Sequence, residues 1–527
     1  MQCAFYRGHP SCITRLLFAE GCPLQKFTNM PACRIINIMI NAKIIEGLTP
    51  ERFWRHLSQI AEIPRGSGNE SGVREYVISI AQQNGLNFKT DKIGNLVVIH
   101  GATEGMENLP SVALQGHMDM VCEKNASVIH DFLKDPICFA REGNIMKAVG
   151  TTAGFDNGVG VAAMCMLMED EPPHGAREYL FTVEEESGLD GAKGLEKDFI
   201  ASGILINLDT EEEGRIYIGC SGGKNTKGMM PLATEPVPAG HTAIALTVSG
   251  LSGGHSGCDI HENRGNAIKL LAQALSSIHA ETDARLSHIS GGGKHNAIPR
   301  EAEAHIHIPV DQVELAKHLV HDVADQLKKE YGETESVLSV ELALMDAEEG
   351  LETHVFKPEL QTALLEVLMA LPHGVHKMSE SVPGLVETSS NLASVKHEND
   401  EIAIVTSQRS SDHSGLLEIS EAVKNAFECG NFAIEHSEGY PGWNPDIHSP
   451  LLKTAVGVYE SQFGATPEVK AVHAGLECGI IGEKFPGIQM LSIGPTVKNP
   501  HSPDELLEID TIPKFLKFLA ALLAEIQ

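Results

Sequence analysis

Two patterns of apolar residues divide this chain, and the change between them constrains its fold more than any other feature. Up to about residue 222, short unbroken runs such as Val112-Ala113-Leu114 and Ile204-Leu205-Ile206-Asn207-Leu208 are separated by helical stretches. Such runs are strands buried on both faces. Their alternation with helices predicts an α/β body built on a mixed, mainly parallel sheet flanked by helices. The expected elements are helices over 50–62 and 72–84, strands at 96–100 and 112–115, a small-residue helix over 159–168, and strands at 179–183 and 204–208. From about residue 223 the pattern changes: Arg300-Glu301-Ala302-Glu303-Ala304-His305-Ile306-His307-Ile308 alternates strictly, as a sheet with one wet face does.

This second, α+β region reads as two similar units, one with strands 241–250 and 302–309 and helices 263–278 and 312–330, the other with strands 336–345 and 401–408 and helices 360–371 and 415–428. The chain then passes through Tyr440-Pro441-Gly442-Trp443 to a helix over 450–463, short strands and a C-terminal helix from about Thr511. A length of 527 residues with 42% hydrophobic content exceeds what one core usually holds, so an inserted domain is expected. The resulting division is an extension over 1–47, a first body over 48–222, an inserted lid over 223–438, and the return of the first body over 439–527. Insertion of this kind puts a cleft between two bodies.

Charge narrows the function. The chain carries 71 acidic residues against 40 Lys and Arg, a net charge of −31, which argues against nucleic acid and anionic membrane as partners because both require a basic surface. No apolar run approaches the roughly 18–20 residues that span a bilayer, and no basic stretch leads into an apolar export segment. The eleven cysteines are odd in number and contain no C-x-x-C pair, which fits a reducing compartment rather than a disulfide framework. A cytoplasmic protein is expected. Cys3, Cys12, Cys22 and Cys33 fall in a basic head without periodicity, so the working protein is read as beginning near Leu48-Thr49-Pro50-Glu51, a good helix opening.

The chemistry lies in acids and histidines at the ends of these elements: His117-Met118-Asp119, Asp156, Glu185-Glu186, Asp209 and His501. Oxygen and imidazole donors without thiolate suit a hydrolytic Zn, Mn or Co site, and two such ions usually share a carboxylate. A strand period of two sends His117 and Asp119 to one side, so that one can bind metal while the other orients it. Asp156, between Gly154 and Gly158 at a helix N-terminus, is the candidate bridge, because the glycines let the backbone approach closely. Adjacent residues at a strand end face opposite ways, so one of Glu185 and Glu186 can hold metal while the other serves as general base and then general acid. Singly, each has an ordinary reading as a surface pair, a solvated charge run, an acidic turn or a loop residue. Their joint occurrence points to a two-metal hydrolase.

A different hydrolase class is suggested by Gly219-Cys220-Ser221-Gly222-Gly223, which has the spacing of a serine nucleophile elbow and follows the strand Ile216-Tyr217-Ile218. The helix that must follow such a serine is missing from Gly223-Lys224-Asn225-Thr226-Lys227-Gly228, which reads as a flexible joint between domains.

In order and sequence, several segments resemble the M20 metallopeptidases, and within them the branch that cleaves Xaa-His dipeptides. They are Leu114-Gln115-Gly116-His117-Met118-Asp119-Met120, Gly150-Thr151-Thr152 leading into Gly154-Phe155-Asp156-Asn157-Gly158, Glu185-Glu186-Ser187-Gly188, and Ile206-Asn207-Leu208-Asp209. Further segments are His473-Ala474-Gly475-Leu476-Glu477-Cys478-Gly479 and Gly494-Pro495 through His501-Ser502-Pro503-Asp504-Glu505, so the resemblance runs from about residue 48 to the end.

The resemblance implies that His117, Asp156 and Asp209 hold one zinc while Asp156, Glu186 and His501 hold the other, with Co2+ or Mn2+ able to substitute. It makes Glu185 the general base, has Asp119 hydrogen-bond the His117 imidazole, and places a cis peptide at Asp156-Asn157. In the lid, His255 of Gly253-Gly254-His255-Ser256-Gly257 would stabilise the oxyanion, and Asn296 and Arg409 would hold the substrate's C-terminal carboxylate. The implied reaction is hydrolysis of Xaa-His dipeptides, carnosine among them, and of other dipeptides by a metal-bridging hydroxide, completed by lid closure. Small dipeptides are the expected partners and a homodimer is the candidate assembly. The sequence does not identify what receives the dipeptide's free amino group. An aminoacylase or deacetylase and a catalytically silent peptide-binding relative are the alternatives within the family, and the intact Glu185 speaks against the second.

Overall fold

The computed structural model describes residues 41–169, 173–345, 353–398 and 400–526. Its first sheet has eight strands in the order Asn87–Thr90, Leu96–His100, Arg177–Thr182, Val112–His117, Ile204–Asn207, Gln489–Ser492, Arg215–Cys220 and Glu468–Val472. The four from Arg177–Thr182 to Gln489–Ser492 run parallel, while the pairings outside them are mostly antiparallel. The mixed, mainly parallel sheet expected from the unbroken apolar runs is therefore present. Val112–His117 and Arg177–Thr182 are buried along their whole length, which is why neither alternates in sequence.

Side chains that alternate along these strands feed two cores. Leu114, Tyr179, Phe181 and Ile206 pack against Phe53, Trp54, Leu57, Phe155, Phe515 and Leu519 from the helices Glu51–Ala61, Phe155–Met168 and Thr511–Ile526. Ala113, Leu180 and Leu205 face the other way, onto Ala192, Phe199, Ile480 and Ile481. Each fully buried side chain of this size stabilises by roughly 1.5–3 kcal/mol. Residues 1–40 lie outside the described residues. The expectation that the whole 1–47 extension stands apart from the fold fails for residues 41–47: the buried Asn41 side chain donates to Ile137 O at 2.9 Å and accepts from Phe139 N at 2.8 Å, and Ile44 and Ile45 pack on the first core.

After Arg215–Cys220 the chain enters a second, antiparallel sheet. Its order is Ser339–Leu344, His241–Ser249, Ala302–Pro309, Arg285–Gly292, Val386–Glu398, Glu401–Ser410, Gly222–Pro231 and Ala433–His436, with Gly374–Met378 paired beside Val386–Glu398. The sheet consists of two halves of the same strand and helix order. One half uses His241–Ser249, helix Ala267–Glu281, Arg285–Gly292, Ala302–Pro309, helix Val313–Tyr331 and Ser339–Leu344. The other uses Gly222–Pro231, helix Pro358–Ala370, Val386–Glu398, Glu401–Ser410, helix His413–Cys429 and Ala433–His436. The duplication read from the sequence is thus real, with a different membership: 339–344 closes the first half, and 222–231 opens the second. The first half is nested in the chain between the opening strand of the second half and its helix. Among the described residues the ladder between the halves pairs Gly291 with Val395 and Gly292 with Ser394, and side chains such as Asn266, which donates to Leu392 O at 2.8 Å, add to the joint. Gly292 has φ +68°, and a Cβ there would lie 2.0 Å from Ala393 O, so this joint requires glycine. The expected flexible joint at 223–228 is instead part of the ordered strand Gly222–Pro231. Among the described residues no helix is long and apolar enough to cross a membrane.

Candidate metal centre and substrate cleft

Arg177–Thr182, Val112–His117 and Ile204–Asn207 are adjacent parallel strands that end on one edge of the first sheet. Neighbouring strands lie about 4.8 Å apart, so groups just beyond their ends fall within reach of a common ion. His117 is the last residue of its strand, Asp209 follows Ile204–Asn207, and Glu185 and Glu186 lie in the turn after Thr182. The loop of His501 and the N-terminus of helix Phe155–Met168, carrying Asp156, complete the group.

His117 Nε2 stands 2.9 Å from Asp156 Oδ1 and 3.4 Å from Asp209 Oδ1, while His501 Nε2 stands 3.1 Å from Asp156 Oδ2 and 3.0 Å from Glu186 Oε2. Asp156 therefore offers one oxygen to each histidine. Ligand atoms of His117, Asp156 and Glu186 lie within 4.8 Å of one another. Glu186 Oε1 is buried without a hydrogen-bond partner, a state that costs about 1–3 kcal/mol or more and that a bound cation offsets. Nitrogen and oxygen donors, a shared carboxylate and this orphaned oxygen fit a pair of divalent ions. The peptide bond Asp156-Asn157 is cis, as the resemblance implied.

A supporting layer holds these candidate ligands. Asp119 stands 3.4 Å from His117 Nδ1, accepts the backbone N–H groups of Glu185 and Glu186, each at 3.1 Å, and accepts the Ser67 hydroxyl at 2.8 Å. The buried Arg65 donates to the carbonyls of Met118 and Asp119 at 2.9 and 2.7 Å and to Gly154 O, tying the His117 loop to the Asp156 loop. Glu505 accepts four backbone N–H groups, those of Ala153, Gly154, Phe155 and Asp156, at 2.7, 2.9, 2.7 and 3.3 Å.

The field of the group follows from this crowding. Burial pulls the His117 imidazolium down, but Asp209, Asp119 and Asp156 together outweigh it and hold it well above the usual histidine range. Hydrogen bonds to Asp156 and Glu186 push His501 up to about 11. Burial raises Glu185 well above the carboxylate range, with Asp209 and Glu186 adding to it, and burial lifts Asp209 to about 6. Asp119 is the exception: burial raises it, yet the hydrogen bonds from His117, Ser67 and the Glu185 N–H bring it to about 2. These shifts favour charged imidazoles among the carboxylates, and divalent ions held by the same donors would displace those protons.

The centre opens into a cavity of about 1070 Å³ lined by Asp156, Glu185, Glu186, Asp209 and His501 from one side of the chain and by His255, His295, Asn296, Arg409 and Tyr440 from the other. A short ladder pairs Gly254–His255 with Ala297–Ile298, and Ser256 N donates to Asn296 O at 2.8 Å, which brings His255 and Asn296 side by side. His255 Nδ1 accepts from Gly257 N and Cys258 N at 3.2 and 3.0 Å, so Nε2 carries the ring proton. Burial and the Arg409 charge push this imidazole down to about 4. Arg409, on Glu401–Ser410, donates Nη1 to the Tyr440 hydroxyl at 3.2 Å, and its buried Nε is unpaired.

Of the ten residues singled out in the sequence, eight line one cavity, while His117 and Asp119 are buried behind it, His117 against Asp156 and Asp119 against His117. One detail differs. Glu185 and Glu186 are not split by strand alternation, since the strand stops at Thr182 and both line the cavity; the bond from Glu186 to His501 is what distinguishes them. Sequence reasoning assigned no task to Arg65, Ser67, Glu211, Glu477 or Glu505. Glu505 and Glu477 stand inside quoted motifs, but nothing about their spacing signals a clamp on backbone N–H groups or, for Glu477, a buried carboxylate accepting Thr182 and Gln115. Ser221 is fully buried and is followed by the strand Gly222–Pro231, which excludes a nucleophile elbow.

Residues 246–335, most of the nested half of the second sheet, match the peptidase dimerisation domain of M20 enzymes. The chain is 39% identical over 480 residues to the cytosol non-specific dipeptidase of Escherichia coli K12, covering 91% of this chain and 98% of that protein. It superposes on the crystal structure of aminoacylhistidine dipeptidase from Vibrio alginolyticus with a TM-score of 0.83 and 38% identity, covering 91% of this chain and 97% of that one. An aminopeptidase from Bacillus cereus shares the fold, with a TM-score of 0.55 at 16% identity over 91% of this chain and 99% of that one. With 39% identity to a dipeptidase over nearly the whole of both chains and the matched dimerisation domain, the chain belongs to the M20 family of peptidases.

Proposed function

We propose that the chain is a cytoplasmic dinuclear zinc dipeptidase that hydrolyses Xaa-His and other dipeptides. The observation that carries this reading is Asp156 dividing its two oxygens between His117 and His501 beside a cleft that also holds Arg409. The near full-length likeness to two enzymes named as dipeptidases supports the substrate class. In this reading 48–222 and 439–527 form the catalytic body and 223–438 the lid. A homodimer has the support of the matched dimerisation domain.

His117, Asp156 and Asp209 would hold one ion, and Asp156, Glu186 and His501 the other; Co2+ or Mn2+ suits the same donors. When bound, the ions supply Lewis acidity, polarising the scissile carbonyl and making a water acidic. Glu185 takes the proton of the attacking water and delivers it to the leaving nitrogen, its position set by the Asp119 bond to its backbone. Asp119 also fixes the His117 ring. The His255 Nε2–H donates to the oxyanion, and Arg409 with Asn296 grips the C-terminal carboxylate.

Purified protein should cleave a panel of Xaa-His dipeptides, lose that activity on chelation, and regain it with added zinc. Cleavage of N-acetyl amino acids in preference to dipeptides would move it to the acylases, and activity resistant to chelation would overturn the metal assignment. A second expectation concerns pH. With His255 near 4, its ring stays neutral from pH 5 to 8 and takes up a proton only below that window. His255→Ala should therefore lower kcat by about 10²–10³-fold without moving the acid limb of the kcat/KM profile. A displaced acid limb would show that the ring titrates during turnover.

A further inference from the structure

A dipeptide brings a charged α-amino group, and its nitrogen is only two bonds from the scissile carbonyl carbon. Once that carbon is at the metal centre, the ammonium must lie beside the centre as well, within one hydrogen bond of its receptor. An acid outside the proposed ligand set keeps all of its lone pairs for that ammonium.

Among the described residues, three acids line the cavity outside the proposed ligands and Glu185: Glu211, Glu212 and Glu438. Glu212 is already engaged by Arg215 and the Tyr217 hydroxyl. Glu438 is exposed on the segment after Ala433–His436. Glu211 differs from both: its Oε1 is buried and has no hydrogen-bond partner. It lies within electrostatic reach of Asp156, Asp209 and His501, whereas Arg409 lies within reach of His255, His295 and His473. A carboxylate next to the centre and a guanidinium toward the lid match the two ends of a dipeptide, whose two residues span about 7 Å when extended.

The position of Glu211 is also fixed. Its carbonyl accepts Val497 N at 3.1 Å, and the neighbouring Thr210 hydroxyl bonds Ser492 Oγ at 2.7 Å. Any side chain at Gly494 would place its Cβ 1.7 Å from Thr210 O, so the turn is held against the return of the chain. A buried carboxylate without a donor is costly, and an incoming ammonium supplies both the charge and the hydrogens.

We propose that Glu211 is the receptor for the free α-ammonium of the substrate and thereby selects unblocked dipeptides over N-acylated ones. This inference rests on the dipeptidase reading of the same cleft.

The test compares alanyl-histidine with propionyl-histidine, which lacks only the amino group, on zinc-loaded wild type, Glu211→Gln and Glu211→Asp. In the wild type, loss of the ammonium should lower kcat/KM by about 10- to 100-fold, as expected for a hydrogen bond between charged groups. In Glu211→Gln that ratio should fall toward one, mainly through a higher KM for alanyl-histidine, with two metals still bound. Glu211→Asp, which keeps the charge, should restore part of the preference, and it carries the test if the Gln variant does not fold. An unchanged ratio or loss of metal in Glu211→Gln overturns the assignment, as does an unchanged ratio in Glu211→Asp where the Gln variant does not fold. Wild-type protein that cleaves neither compound overturns the dipeptidase reading itself, a result distinct from a wild type that cleaves both equally, which overturns only the ammonium site.

Discussion

Glu185→Ala is expected to fold, to bind two divalent ions, and to lose about 10²–10⁴-fold in kcat, the range a positioned general base contributes. The structural grounds for separating chemistry from metal binding are specific. Among the described residues, Glu185 bonds the layer behind the candidate ligands through its backbone N–H to Asp119 Oδ1, and alanine keeps that donor. Glu186, one residue on, is the member of the pair that reaches His501, at 3.0 Å. Removing the Glu185 carboxyl also removes a buried acid from a group already crowded with them, which favours folding of the metal-free chain. His117→Ala is the control in the opposite sense, since His117 meets both Asp156 and Asp209 and its loss should take metal and turnover together. Metal stoichiometry by elemental analysis, measured beside kcat on one dipeptide, decides the matter. If Glu185→Ala binds no metal, or turns over within tenfold of the wild type, the roles of Glu185 and Glu186 must be reassigned.

The parts of this structure legible in the sequence are those where burial and chemistry leave a local mark. Val112–His117 and Ile204–Asn207 announced themselves because strands covered on both faces need unbroken apolar runs. Ala302–Pro309 did so by strict alternation, and its expected bounds match the observed ones. Two of the strands that went unread carry neither mark. In Val386–Glu398 the run Thr388, Ser389, Ser390 and Asn391 is buried yet entirely polar, because it bonds across the interior: Thr388 to Ser410 at 2.9 Å, Ser389 to His473 at 2.7 Å, and Asn391 to Ala297 O at 2.8 Å. Gly222–Pro231 is rich in glycine for a packing reason, since a Cβ at Gly228 would lie 2.2 Å from the Phe427 ring and one at Gly222 2.5 Å from Gly442 N. Hydrophobic periodicity cannot register a strand whose partners are hydroxyls, or one that was thinned to let a neighbour approach. The site divides in the same way. Its candidate ligands were readable as a group because acids and histidines at strand ends have few other uses in such numbers, whereas Arg65 and Glu505 act through backbone carbonyls and N–H groups that no side-chain pattern encodes.

For that reason the largest effect on stability is expected at a residue outside the ligand set. Glu505 is 2% exposed, and its two oxygens accept the N–H groups of four consecutive residues, Ala153 to Asp156. These donors belong to the loop and first turn of helix Phe155–Met168, where the N–H groups have no partner within the helix. A carboxylate can satisfy all four because both of its oxygens only accept. In Glu505→Gln one oxygen becomes an NH2 group that must point at donors, so at least two N–H groups lose their acceptor and meet a repulsive partner. Breaking such a buried, charge-assisted set should cost about 3–5 kcal/mol. The damage should not stop at stability, because Asp156 is the last of the four clamped residues and the only one placed between His117 and His501. Freed from Glu505, the bridging carboxylate loses the position in which its two oxygens divide between the two rings. Urea unfolding of the metal-free protein and zinc binding to the folded variant read the two consequences separately. A variant within about 1 kcal/mol of the wild type that still binds two zinc ions at wild-type affinity would show that the loop holds its shape without the clamp, and that Arg65, through Gly154 O, suffices to place Asp156.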